Sequence, residues 1–451
     1  MNLALEIAKQ TMLQSQTSLG VTMNNIANSK VNGYTRQSVN LRTNMSINTG
    51  SHLVGTGAVI SSIDRVRTGF YDKQYRDNLG VYANSSVNTT ALGRIETILG
   101  SIEGDTGLKT SLTDFFDSLE ELSKNPEKVG IKQIVKDSAV ALGDAFNLVS
   151  NNLKVTKEQY VNHTEAKVND INDMLKNLQH VNDEIGRLTS MGQQPNDLLD
   201  TRDRILDDLS STMDISVIHG DNNKINVVSN GHVLVQDGYS SKLNFESNID
   251  GTISVTYEDG ATFKSTGGDL SALVGVVNDS IPKYNDKINL LANDFMDAFN
   301  KVHESGVHAD GTTGIKFFEG TGAGGIKVTD AILNDPSLIV NSSDGTTGNN
   351  DIVLELIKIR DSKNIDGGQF GVVEYFDNLS ASISAETKAS RVKTENYKYV
   401  TDEIYIMRSN EIGVNEDEEI VNSVKIQQTF AAASKIISTL NEMFNSLITA
   451  V

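Results

Sequence analysis

Cysteine is absent from the 451-residue sequence, and so is tryptophan. Without thiols there is no disulfide framework, no thiolate metal site and no cysteine nucleophile. Proline occurs only 4 times, so long stretches hold nothing that would break a helix. Positive charge is scarce as well: 39 Lys and Arg stand against 59 Asp and Glu, a formal net charge of -20. No basic run is present, which argues against a nucleic-acid partner, because phosphate binding draws on clustered cations. No stretch approaches the ~20 apolar residues of a membrane span, so no membrane insertion is expected. The opening MNLALEIAKQTMLQ carries an acid early and no unbroken apolar run, so it does not read as a cleaved secretory signal. Composition alone therefore describes a soluble cytoplasmic protein, with a length that suggests about three domains.

What the sequence does have is period, and most of all at its two ends. Leu5, Met12, Leu19 and Ile26 recur every seven residues, with small Ala8, Ser15 and Thr22 between them. At the other end Ile426, Phe430, Ala433, Ile437, Leu440, Phe444, Leu447 and Val451 alternate steps of four and three, which draws one narrow apolar seam down a helix. A lone helix cannot bury such a seam, and helical propensity alone barely holds it in water. The two ends are therefore expected to pack as an antiparallel pair, and neighbouring copies of the chain to complete their seams. Leu5, Met12, Leu19, Ile26, Ile426, Phe430, Ala433, Ile437, Leu440, Phe444 and Leu447 are the expected subunit-interface residues.

Between the ends the period changes twice. Val39 to Val66 suggests a short extended or hairpin segment. Helical spacing then predicts a helix through Leu108, Leu112, Phe115, Phe116, Leu119 and Leu122, a second over 134–153 and a third over 161–188. Pro195 turns the chain into a further helix with an Asn or Asp cap. From Asp214 to Thr266 the period is two, and Asn230-Gly231 between Ile225–Ser229 and His232–Gln236 reads as a hairpin turn that demands positive φ. A heptad series resumes at Val277 and runs to Val302. Residues 304–350 read as packed despite their glycines, and 369–412 as a long helix running straight into the terminal seam. The expected fold class is mainly α with a β insert: a terminal antiparallel helical coiled coil (1–45 with 405–451), a helical-rod domain (46–213 with 270–404), and a small antiparallel β domain inserted in the middle (214–269).

Chemistry finds little foothold. His52, His163, His180, His219, His232, His303 and His308 are scattered without ligand spacing; His303 and His308 in a Gly-rich loop are the best of them. The run Gly320 to Gly325 lacks the Lys-Ser/Thr of a phosphate loop. Asp310, Asp344 and Asp351 lack the twelve-residue calcium loop with its closing Glu. Asp207-Asp208 and Glu418-Glu419 read as solvated helix faces. No catalytic, cofactor-binding or metal-binding residue is expected.

Three motifs carry a resemblance. Asn24-Asn25-Ile26-Ala27-Asn28, followed by Gly33-Tyr34-Thr35-Arg36-Gln37, resembles the N-terminal signature of the bacterial flagellar axial proteins. Gly413-Val414-Asn415, Gln427-Gln428 and the run from Ile436 through Asn441 to Phe444 are similar to the closing helix of that family. Asn196, Leu199, Asp200, Arg202 and Asp203, within Pro195 to Asp203, resemble a stretch of its hook-associated members. The resemblance implies a structural subunit without enzymatic activity, forming a ring of copies between hook and flagellin filament. Its implied partners are itself, hook protein, a second junction protein, flagellin, and an export chaperone on the C-terminal helix. It also implies export through the flagellar apparatus without a cleaved signal, which replaces the cytoplasmic reading. The alternatives are another axial subunit, a surface adhesin or immune target built on the β insert, or an enzyme grafted onto an axial protein.

Overall fold

The computed structural model describes residues 2–48, 52–100 and 107–449, so Val451 lies outside the described residues. Helix α1 (Asn2–Asn28) opens the chain and contains no proline. Gly33 turns it with φ +80, and an antiparallel ribbon follows. Its long strands are β1 (Gln37–Thr43) and β4 (Ala58–Arg65), with Gln37 opposite Arg65 and Thr43 opposite Ala58. Short β2 (Ile47–Asn48) and β3 (Leu53–Val54) continue the ribbon outward. It lies along α1, where the Gln14 amide donates to the Ala58 carbonyl.

Four helices come next: α2 (Gly69–Gly100), α3 (Leu108–Lys124), α4 (Val129–Ser190) and α5 (Asn196–Thr212). The 62 residues of α4 make a rod of about 93 Å at 1.5 Å per residue. Two helices were expected here. They are one because the buried line passes through Thr156, Tyr160 and Thr164, whose polar groups blur the apolar period without breaking the helix. Thr164 Oγ1 satisfies itself on the Tyr160 carbonyl one turn back, at 2.7 Å.

Strands β5 (Ser216–His219), β6 (Ile225–Ser229), β7 (His232–Gln236) and β8 (Tyr239–Ser240) form a four-stranded antiparallel meander. A separate hairpin pairs β9 (Leu243–Ser247) with β10 (Ile253–Tyr257). Asn230 and Gly231 take φ 48 and 86, the left-handed pair that this turn requires. The inward residues Val227, Leu234, Val255 and Tyr257 share one core with Val168, Ile171, Leu175 and Leu178 of α4 and with Leu206 and Leu209 of α5. The sheet thus closes its core on the far half of the rod.

The near half of the rod belongs to a larger core. Helix α6 (Asp269–Gly275) passes through a π turn at Val276–Ser280 into α7 (Ile281–Glu304). Beyond it, β11 (Phe318–Glu319), β12 (Lys327–Val328) and α9 (Asp351–Lys358) pack against α3, α4 and α7, and α8 (Asp330–Asn334) adds Ile332 to the same core. The centre is phenylalanine: ring centroids of Phe115 and Phe299 are 5.3 Å apart, and those of Phe317 and Phe318 4.8 Å. Buried Asn300 pins this loop by accepting from the N–H groups of Phe317 and Phe318 and donating to the Phe318 carbonyl.

The chain returns along α10 (Val372–Ile412) and ends in α11 (Glu416–Thr449). The continuous helix expected here is broken at Gly413 to Asn415. The Asn415 side chain accepts from the Asp417 N–H at 3.1 Å, and four acids fill the first turn of α11, where the helix dipole favours them. Helices α2 and α10 run antiparallel between body and tip. Midway they are joined by hydroxyls, with Ser85 Oγ 2.7 Å from Thr394 Oγ1 and Thr89 Oγ1 2.6 Å from Ser390 Oγ.

Candidate assembly interface and the joint behind it

Helices α1 and α11 lie antiparallel. Ser29 Oγ donates to Glu416 Oε1 at 2.7 Å, and the Arg36 N–H reaches the Ile412 carbonyl at 2.9 Å. On α1 the positions closed within the chain are Ala8, Ser15, Thr22 and Asn25. Small residues fill the tight line because they let other backbone come close. The expected apolar line sits beside it: Met12, Leu19 and Ile26 are half-buried, and Leu5 is 38% exposed. On α11 Ala433 is buried, while Ile426, Phe430, Ile437 and Leu440 are half-buried. Phe444 and Leu447 remain 46% and 55% exposed. Beyond the acidic first turn of α11, the exposed faces carry almost no charge. Glu6 and Lys9 are the only ionisable side chains between Asn2 and Asn28, and Lys425, Lys435 and Glu442 the only ones between Ile420 and Thr449.

Behind this pair lies a buried joint of four arginines and four aspartates. Arg65 Nη1 is 2.6 Å from Asp200 and 2.9 Å from Asp203. Arg67 binds Asp72 through Nε (2.7 Å) and Nη2 (2.9 Å). Arg76 Nε reaches Asp207 at 2.7 Å, and Arg408 spans Asp72 (2.7 Å) and Asp207 (2.8 Å). Arg408 also stacks on the Tyr75 ring, 4.9 Å from its centroid. Burial alone would raise the Asp203 carboxyl, but the guanidinium groups of Arg67, Arg65, Arg76 and Arg202 together hold it down at about 2. Removing these charges from water is costly, and the close pairing offsets that cost.

The motif residues converge on this joint. The Thr35 N–H donates to Asp200 Oδ2 at 3.1 Å, tying the turn after α1 to α5. Tyr34 Oη donates to Asn25 Oδ1 at 2.8 Å; burial, with Asp200, Asp197 and Glu419 nearby, pushes this phenol up to about 12, so it keeps its proton. Asn25 bonds both the N–H and the carbonyl of Gln37. Asn28 Nδ2 reaches back to Asn24 Oδ1 at 2.8 Å. Gly33 takes φ +80, which favours glycine, and a side chain there would press on the exposed, flexible Arg204 side chain. Arg36 faces Glu418 at 3.6 Å. Leu199 is buried, and Arg202 donates to the Asn223 carbonyl, anchoring the β segment. Asn196 does not cap α5 as expected; its amide donates to the Ile63 carbonyl at 2.9 Å. Asn441 stands apart, exposed on α11.

Two acids expected on solvated helix faces are placed otherwise. Asp207 belongs to the joint rather than to a solvated face, and Glu419 is buried at 5% exposure. Arg65, Arg67, Asp72, Arg76 and Arg408 were missed, because single charges on helices and strand ends give no pattern. His303 is fully buried. Its Nδ1 lies 2.6 Å from the Ile315 carbonyl and its Nε2 accepts from the Val340 N–H at 3.2 Å, so both ring nitrogens are engaged. Burial holds it down to about 4, hence neutral.

A family model described as the flagellar hook-associated protein FlgK helical domain matches residues 92–318, half of the chain. The chain belongs to the FlgK family. A second model, the C-terminal segment of the flagellar basal body rod FlgEFG proteins, matches residues 410–450, which hold α11. Flagellar hook-associated protein 1 of Bacillus subtilis is 27% identical over 99% of this chain and 97% of its own length. The protein of that name from Escherichia coli is 23% identical, over 96% and 97%. The structure of the flagellar hook junction protein FlgK from Burkholderia pseudomallei matches with a TM-score of 0.61, covering 74% of this chain and 99% of that one. At 12% identity that likeness speaks for the fold alone. FlgK proteins are structural subunits of the flagellum at the hook–filament junction. As a FlgK-family member the chain is a flagellar component, and no helix among its described residues is long and apolar enough to cross a membrane.

Proposed function

We propose that copies of this chain form a ring between hook and filament, joined through the outward faces of α1 and α11. The observation that carries this reading is the near absence of charge on those faces, over Asn2–Asn28 and from Ile420 to Thr449 beyond the acidic first turn of α11, in a protein of net charge -20. Solvated helix faces are normally charged, whereas depletion of charge marks the core of an interface. Leu5, Phe444 and Leu447, exposed in the single chain, would be covered by neighbours. Hook protein lies on one side of the ring, and the second junction protein with flagellin on the other. Before assembly the apolar tail of α11 is an aggregation hazard, which suits an export chaperone holding it. Export runs through the flagellar apparatus without a cleaved signal, and the role is structural rather than enzymatic. The test is electron microscopy of cells lacking the chain: hooks without filaments are expected, and filaments of normal length on normal hooks would refute the reading.

A further inference from the structure

Between α8 and α9 the segment 335–342 crosses the larger core and is held from several sides. The Asp335 side chain accepts from the Ser337 N–H at 3.0 Å and closes a single turn, after which Ile339 and Val340 enter the core. From α4, buried Lys132 donates through Nζ to the Ile339 carbonyl at 2.6 Å and the Ser337 carbonyl at 3.2 Å. From α7, His303 Nε2 accepts from the Val340 N–H at 3.2 Å. The Asn341 amide donates to the Pro126 carbonyl at 2.8 Å, and the Val307 N–H to the Ser342 carbonyl at 2.8 Å.

His303 fits this place in one charge state only. The Ile315 carbonyl can only accept, so Nδ1 carries the proton and Nε2 keeps the lone pair that the Val340 N–H needs. A second proton would set donor against donor inside a buried site. Room to turn away is lacking: Phe317 stands with its centroid 5.3 Å from the ring, and the loop after α7 folds onto the His303 carbonyl so closely that Gly314 has no space for a side chain. Burial opposes an imidazolium first; the Ile315 carbonyl favours it, His308 and Lys132 oppose it further, and His303 sits at about 4 against an ordinary 6.5. Asp335 acts on Lys132. The acids of the neighbouring elements are engaged elsewhere, Asp310 by Thr312, Asp351 by Ser343, Glu355 by Lys358 and Glu319 by Lys327. Lys301, Glu304 and Lys316 are exposed.

We propose that 335–342 is an acid-released strap, closed while His303 is neutral and freed when Nε2 takes a proton. Release uncovers Ile339, Val340 and Phe317 at the start of the rod, which is about 85 Å from its far end at 1.5 Å per residue, so α5 and the joint are left in place. The strap does not depend on the assembly reading. Once freed, the ring regains its ordinary proton affinity, so closure is complete above about pH 6.5 and weakens as the pH falls towards 4.

Amide exchange of the full chain at pH 7.5 and pH 5, each read against the intrinsic rate at that pH, tests this. Protection of 336–342 is expected to fall about tenfold or more, while that of 199–209 in α5 stays. His303→Gln, whose side-chain oxygen accepts from Val340 at either pH, should lose the difference, and His308→Asn should keep it. Equal protection of 336–342 at both pH values would overturn the strap, and so would an equal fall in 199–209, which marks unfolding of the whole. A difference that His308→Asn removes and His303→Gln keeps would overturn it too. Should His303→Gln fail to fold, ring resonances of the histidine-labelled native chain decide: one of the seven must still be neutral at pH 5. Seven protonated rings there, with 336–342 still protected, would overturn the proposal.

Discussion

Asp203 concentrates the logic of the joint in one carboxylate. It faces Arg65 at 2.9 Å, Arg67 at 3.3 Å and Arg76 at 3.4 Å while only 7% exposed. Removing its charge would leave three buried cations short of a partner, so Asp203→Asn is expected to cost roughly 3–5 kcal/mol at pH 7 in denaturant unfolding. A cost below about 1 kcal/mol, the range of an exposed pair, would contradict the account. The pH dependence has a definite sign. The folded carboxyl sits at about 2 against an ordinary 3.8, so its stabilisation is complete above about pH 4 and is lost as the pH falls towards 2. The Asn variant should lose stability less steeply than the parent across that window. At this scale the sequence could be read only in part. Gly33, Tyr34, Asp200 and Asp203 are marked by motif, but Arg408 reaches Asp207 from two hundred residues away, and no spacing rule reports such a pair.

Element by element, legibility follows how local the cause is. The Asn230-Gly231 hairpin is written in two residues whose φ values it demands, and it forms where expected. Helix α4 was harder, because Thr156, Tyr160 and Thr164 weaken the apolar signal of a line that tertiary packing nevertheless continues. The break before α11 lies in Gly413-Val414-Asn415, where the cap outweighs continuity of period. Helix α11 also shows that a seam can be divided: Ala433 is closed within the chain, while Phe444 and Leu447 are left open. Phe444→Asp is therefore expected to change monomer stability by less than about 0.5 kcal/mol, as exposed substitutions do. The same change should abolish filament attachment in a motility assay. Normal motility would mean that this part of α11 is not an assembly surface.

On the scale of the whole molecule, two apolar cores grip successive halves of α4, and the α2–α10 pair carries the terminal helices away from them. The joint at Asp203 holds both crossing chains at one place, so the tip is presented as a unit while its outer faces stay open. Fold class could be read from period, because buried lines repeat at helical spacing, whereas the open faces of α1 and α11, for which we propose neighbours, look in one chain like a poorly buried core. The most direct test is amide hydrogen exchange on α1 and α11, in isolated monomer and in assembled flagella. The account predicts fast exchange in the monomer relative to α4, and slowing by at least about a hundredfold on assembly, as closed cooperative units show. Equal protection of both helices in the two states would mean that they are complete on their own, and would contradict it.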